Sequence, residues 1–248
     1  MKILKQLISI SLCIVVCTSC NSNLSSEKVE DIGLIGATIE ITQNATNGKD
    51  SWTTINLFDK DRKSIRNDSI KIIVNGVETE LQHRQGLYYT DESKYYSESP
   101  PINQVHNFEI KLSNGEKYFL GSINALSEEK IENIICEEHG DLNKNTVIKW
   151  KDLKNINRLE IHTSTLLKTP NSNDKNYSYN DAIIKQISSN GEYTIPTSEY
   201  FNPKWTVSGF ELKFMATRFG KMNPKLVEGS KISISTLIEK NIHLEKEQ

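Results

Sequence analysis

The hydrophobic pattern divides the chain into a short leader and a long remainder. Residues 1–6 carry Lys2 and Lys5, and residues 7–17 form an apolar run interrupted only by Ser9 and Ser11. A charged start followed by a short apolar core is the layout of an export signal. The run falls well below the roughly 20 residues a transmembrane helix needs. Residues 21–26 are polar, and from about residue 34 the pattern becomes alternation with period two, the mark of half-buried strands. Ala37, Ile39 and Ile41, for instance, alternate with Thr38, Glu40 and Thr42.

Two Asn-Gly pairs between alternating runs predict hairpins, because both residues tolerate the positive φ of a tight two-residue turn. Asn75-Gly76 is expected to set Val74 opposite Val77, Ile72 opposite Thr79 and Ile70 opposite Leu81, with the apolar members on one face. Asn114-Gly115 is expected to set Ile110 opposite Phe119. Residues 34–126 thus hold about six strand-like runs separated by turn signals, the count and spacing of a β-sandwich.

After residue 127 the alternation resumes, and its residues resemble a fibronectin type III module. Val147-Ile148-Lys149-Trp150 is similar to the second strand with its buried Trp, and Leu159-Glu160-Ile161 to the third. Residues 191–196, 210–216 and 230–234 are similar to a middle, the sixth and the last strand. Phe210 stands where that family usually has a Tyr, so the resemblance implies no tyrosine corner. Residues 180–188 and 237–247 have apolar spacing that fits a short helix as well as a strand, and residues 164–181 read as a long polar loop.

Cys17-Thr18-Ser19-Cys20 resembles the lipobox of bacterial lipoproteins, with Cys17 in place of the usual Leu. The resemblance implies cleavage before Cys20, a diacylglycerol on its thiol and acylation of the new amino group. Several acyl chains hold a protein on a membrane where one does not, at about 0.8 kcal/mol per buried methylene. Asn21 differs from the Asp that retains some Gram-negative lipoproteins in the inner membrane. Ser25-Ser26-Glu27 and Glu30-Asp31 resemble the acidic tethers of surface-exported ones. The expected location is therefore the cell envelope, as an outer-membrane lipoprotein exposed at the surface.

Cleavage would remove Cys13 and Cys17 and commit Cys20 to lipid, leaving Cys136 as the one cysteine of the folded part. With no intramolecular disulfide available, the core must hold by packing. Cleavage also takes away Lys2 and Lys5 and no acid, so the formal charge falls from −2 to −4. A mildly acidic chain without basic clusters interleaved with aromatics excludes a nucleic-acid footprint.

The chemistry-bearing motifs are sparse. Histidines 83, 106, 139, 162 and 243 show no metal-binding spacing, and no nucleotide loop or nucleophile elbow occurs. Glu137-Glu138-His139-Gly140-Asp141 has donor types suited to a cation, but consecutive residues point different ways, and it reads as a solvated loop. Asp59-Lys60-Asp61 with Asn67-Asp68 lacks EF-hand spacing and reads as turns. No cofactor or metal is expected. Candidate binding residues are Tyr88, Tyr89, Tyr95, Tyr96, Trp205 and Phe219, since exposed aromatics stack on sugars or anchor protein partners. In a strand one Tyr of each doublet must face the core.

The expected protein is all-β, with two tandem antiparallel β-sandwich modules after a cleaved signal (1–19) and a flexible lipidated tether (20–33). The modules are an immunoglobulin-like sandwich (34–126) and a fibronectin type III-like sandwich (127–248). The expected role is non-catalytic binding or scaffolding on a membrane held through Cys20, with a protein or glycan ligand. The alternatives are a surface or periplasmic hydrolase using acidic residues and an inhibitor of another protein.

Overall fold

The computed structural model describes residues 22–44, 51–85, 91–98, 104–168 and 176–245. The first half holds β1 (Gly36–Asn44), β2 (Trp52–Phe58), β3 (Lys71–Val74), β4 (Val77–Glu78), β5 (Glu80–Gln85), β6 (Asp91–Glu98), β7 (Val105–Lys111) and β8 (Lys117–Asn124). The second half opens with β9 (Ile134–Ile135), β10 (His139–Asp141), β11 (Thr146–Trp150), β12 (Arg158–Leu167) and β13 (Tyr177–Tyr179). It continues with β14 (Ile183–Gln186), β15 (Gly191–Ile195), β16 (Trp205–Phe219), β17 (Lys221–Met222) and β18 (Lys231–Glu245). The expected all-β class is what the structure shows, and residues 180–188 and 237–247 contribute strands.

One large sheet runs through both halves in the order β13, β12, β16, β18, β1, β2, β6, β5, with β14 beside β12 and β10 beside β18. Two smaller sheets accompany it, β17, β8, β7, β3, β4 and β15, β11, β9. The join between halves is β18. Its residues 231–237 pair in parallel with residues 38–44 of β1, and its far end, residues 243–245, pairs in parallel with β10. Along most of its length β18 also pairs antiparallel with β16. At about 3.3 Å per residue, such a 15-residue strand is roughly 45 to 50 Å long.

Register and burial show that both small sheets cover the same side of the large one. Ile39 pairs with Ile232 and Ile41 with Ile234, and all four are buried. Farther along β18 the same alternation continues through Thr236, Ile238, Ile242 and Leu244. Across from it lie Leu212 and Phe214 of β16 and Leu159 and Ile161 of β12, all fully buried. The opposite face, through Glu40, Ser233, Ser235 and Glu239, is polar and open. In the second half the covering sheet brings Trp150, whose ring meets Phe214 edge-on at 5.9 Å and whose Nε1 donates to the Ser188 carbonyl at 2.9 Å.

The first hairpin keeps the expected register as far as it runs, and the second departs from it. Val74 does face Val77, and Ile73 faces Glu78. Buried Thr79 lies opposite Ile72 as expected, its amide donating to the Ile72 carbonyl at 2.8 Å, and only beyond it does the chain cross to the large sheet. Leu81 therefore pairs with Tyr95 rather than Ile70, and Val77 is left exposed on a short edge strand. At Asn114-Gly115 the Gly115 amide donates to Leu112 and the Leu112 amide to Glu116, with Gly115 at φ 87°. That longer turn with a left-handed Gly shifts the ladder by one residue. Ile110 faces Tyr118, and Phe119 faces Glu109 on the exposed side.

The stretch expected as a flexible tether is held against the first half from Ser22 on. The Ser22 amide donates to the Ser64 carbonyl at 2.9 Å. Asn67 donates through Nδ2 to the Leu24 and Glu27 carbonyls at 2.7 and 2.8 Å. Val29, Ile32 and Ile35 are buried. The expected boundary near residue 126 is pinned from both sides. Buried Gln43 makes a two-way bond with the main chain of Leu126, and buried Glu129 accepts from the Lys154 and Asn155 amides at 2.9 and 2.6 Å.

Ile234 sits where β1, β18 and β16 meet, so Ile234→Ala should lower unfolding free energy by about 2 to 5 kcal/mol, the usual range for a buried Ile. Urea unfolding followed by tryptophan fluorescence and by far-UV circular dichroism should shift together in one transition. His106 is buried in β7, and neither ring nitrogen meets a partner among the described residues. Burial pushes its imidazole below the ordinary 6.5. Below that value the unfolded chain takes up a proton that the folded protein refuses, so this part of the stability is present above 6.5 and lost as pH falls toward the folded value. His106→Leu should become progressively more stable relative to wild type as the pH drops from 7.5 to 5, measured by urea titration at each pH.

Candidate binding surface

The far end of β18 gathers the features that invite a ligand. β13 and β14 both line the outer edge of β12, with Tyr177 opposite Leu166, Tyr179 opposite Ser164 and Ile184 opposite Glu160. On β12, Leu159, Ile161 and Thr165 face the core, so Ser164, Leu166, Tyr177 and Tyr179 project from the open face. Tyr177 is 56% and Tyr179 70% exposed. Two strand residues apart, they stand roughly 6.6 Å from one another on one side.

A polar field lies beside this pair on the same face. His162 Nε2 is 3.2 Å from Glu160 Oε2, and Arg158 pairs with the other oxygen of Glu160. On the next strands Lys213 bridges Glu211 at 3.3 Å and Glu239 at 3.7 Å. The surface thus combines an apolar rim with fixed hydrogen-bonding groups.

A groove of about 860 Å³ also opens at this end, lined among others by Ile135, Cys136, Glu137, His139, Val147 and Glu245. His139 and His243 face each other across β10 and β18 with ring centroids 5.8 Å apart. No group of three metal-ligating side chains forms among the described residues. Burial pushes the Cys136 thiol up, so it stays protonated. Asp141 is held below the usual carboxylate range by the Asn143 amide and by Lys144, 3.0 Å away. Asp59 is displaced the same way. Burial works to raise it, but the Ser22 side chain, the Lys63 and Asp61 amides and the Lys63 charge outweigh that. Both acids serve turns, and a lowered carboxyl is the opposite of a general acid.

The residues singled out from sequence are dispersed. Tyr88, Tyr89 and Cys20 lie outside the described residues. Tyr95 is buried in the first half, its hydroxyl aimed at the Ile70 and Asn67 carbonyls at 3.1 and 3.3 Å, and burial with the nearby Asp68 charge raises its pKa. Tyr96 is half-buried on the open face. Phe219, 75% exposed, lies on that face at the start of β18, opposite Ser233. Trp205 is at the other end of β16, roughly 45 Å away at strand rise, paired with Leu167 and half-buried near exposed Phe201. No single site unites them.

Sequence reading missed two tyrosine roles. Residues 164–181 are not one loop, since 164–167 complete β12 and Tyr177-Ser178-Tyr179 forms β13. The i, i+2 aromatic pair was the available signal. Tyr200, fully buried, accepts from the Thr146 amide (2.7 Å) and meets Thr146 Oγ1 (2.7 Å) and the Ile195 carbonyl (3.2 Å). Its hydroxyl ties the start of β11 to the end of β15.

No known protein family matches the chain, and no curated protein does. Among solved structures, the adhesin InvE of Yersinia pseudotuberculosis aligns at 12% identity over 84% of this chain and 58% of that one, with a TM-score of 0.24. SGBP-B of the Bacteroides ovatus mixed-linkage glucan utilization locus, solved with a mixed-linkage heptasaccharide, aligns at 13% identity over 89% and 45%, with a TM-score of 0.23. The chain therefore spans less than two thirds of either. The functional reading rests on this chain's own geometry.

Tyr200→Phe should cost about 1 to 3 kcal/mol by leaving buried partners unpaired. The double substitution Tyr177→Ala, Tyr179→Ala should stay within about 0.5 kcal/mol of wild type, as exposed positions do. Urea unfolding of both variants checks the contrast.

Proposed function

We propose that this protein is a lipid-anchored, non-catalytic binding protein of the cell envelope, built from an immunoglobulin-like and a fibronectin type III-like half, and that it holds a glycan on the open sheet face at the far end of β18. The carrying observation is the exposed pair Tyr177 and Tyr179 beside Ser164, His162 and Glu160. Pyranose rings present C–H faces that stack on tyrosine, while their hydroxyls need fixed donors and acceptors such as these. The lipobox-like Cys20 supports the anchor, and the location follows from it as an outer-membrane lipoprotein exposed at the surface.

Two experiments test the two parts. Protein expressed in a Gram-negative host should lose residues 1–19, gain acyl mass and sediment with membranes, whereas Cys20→Ala should do none of these. In affinity electrophoresis against a panel of soluble polysaccharides, wild type should be retarded by at least one. The Tyr177→Ala, Tyr179→Ala variant should lose that retardation and Phe219→Ala should keep it. Retardation that survives the double substitution removes this face as the binding site.

A further inference from the structure

We propose that the loop of residues 59–66 is a second membrane contact, seated on anionic lipid headgroups, that stands the protein upright on its anchor. The proposal rests on the reading of Cys20 as the lipid-bearing residue.

The first argument is reach. Ser22 is fixed to this loop by the hydrogen bond from its amide to the Ser64 carbonyl at 2.9 Å. Cys20 is two residues earlier, and two residues of extended chain span at most about 7 Å. An acyl-bearing Cys20 therefore brings residues 59–66 to the bilayer surface, with no free tether to hold the protein away.

The second argument is charge. Residues 59–66 carry Lys60, Arg62, Lys63 and Arg66 against two acids, Asp61 and Asp59, whose carboxylate is turned onto the loop's own amides. Lys60, Arg62 and Lys63 are exposed. The loop is built rather than slack. The Asp59 carboxylate accepts from the Asp61 and Lys63 amides at 2.8 and 2.9 Å, and Asp59 and Lys63 also pair through the main chain at 3.0 Å. Arg62 stacks over the Phe58 ring at 4.6 Å and lies against Gly229, at φ 78°, where a Cβ would strike its guanidinium. A rigid cationic knuckle beside an acyl anchor is complementary to an anionic surface, where each nearby cation adds to membrane affinity.

The third argument is position. Gly36 pairs with Phe58, and Thr38 with Lys231, so the loop sits at the start of β18. Tyr177 and Tyr179 connect through Ser164 and Gly209 to His243, near its end. Seating the loop on headgroups would raise the aromatic face roughly 45 Å above the membrane at strand rise.

The test uses the acylated protein reconstituted in vesicles. A fluorophore is placed at Asp61→Cys, or for comparison at Lys204→Cys near the far end, each in a Cys136→Ser background. Quenching by headgroup-labelled lipid is read in phosphatidylcholine vesicles with and without about 30% phosphatidylglycerol. The loop label should be quenched about threefold more strongly in anionic vesicles, and the gain should vanish at about 0.5 M NaCl. It should also vanish in a Lys60→Glu, Lys63→Glu variant that still floats with vesicles. The far label should remain unquenched throughout. Acylated, vesicle-bound protein whose loop label is quenched equally in both compositions overturns the proposal alone. Protein that carries no acyl mass and floats with neither vesicle overturns the anchor and the proposal together.

Discussion

The structure depends on the parallel pairing of β1 with β18. These are the first and last strands of the described chain, and seven residue pairs join them. The pairing buries Ile39, Ile41, Ile232 and Ile234 in one row and makes a single sheet out of strands from both halves. Neither half closes its core independently of β18, since the first half borrows its beginning and the second half its end. A contact between residues almost 200 apart carries a large loop-closure entropy, and it holds because it is embedded between two further antiparallel ladders. Gln43 and Glu129 reinforce the same junction from the connecting segment.

That constraint decides what the protein offers to its surroundings. With both small sheets on one side, the other face is left as a continuous open surface across many strands, polar in its middle and aromatic at its rims. The length of β18 separates two ends of different character. One end holds the docked N-terminal segment and a cationic loop. The other holds exposed tyrosines beside a hydrogen-bonding field.

Local strand formation was readable in the residues because period-two alternation reflects which side of a sheet meets water. β1, β7 and β16 could be placed from that alone. Register was less readable, since the first ladder stops after Thr79, where Glu80 joins the large sheet, and Gly115 shifts the second hairpin through a longer turn that a two-residue rule does not contain. Leu237, Ile238, Ile242 and Leu244 fit a helix as well as a strand until β16 and β10 pair with them. Whether a tyrosine faces core or solvent is settled by the partner strand, which is distant in sequence. Tyr95 therefore proved internal and Tyr177 external. Tyr200 and the docking of residues 22–35 were hidden for the same reason, as both depend on partners tens of residues away.

Native-state hydrogen exchange tests the shared sheet most directly. If β1 and β18 close one cooperative unit, amides of Ile39 and Ile41 in the first half and of Phe214 and Ile238 in the second should exchange only through global opening, with the same free energy and denaturant dependence. Exchange of the β1 amides at a distinctly lower free energy, while those of β16 and β18 stay protected, would show that the first half opens alone and would contradict the account.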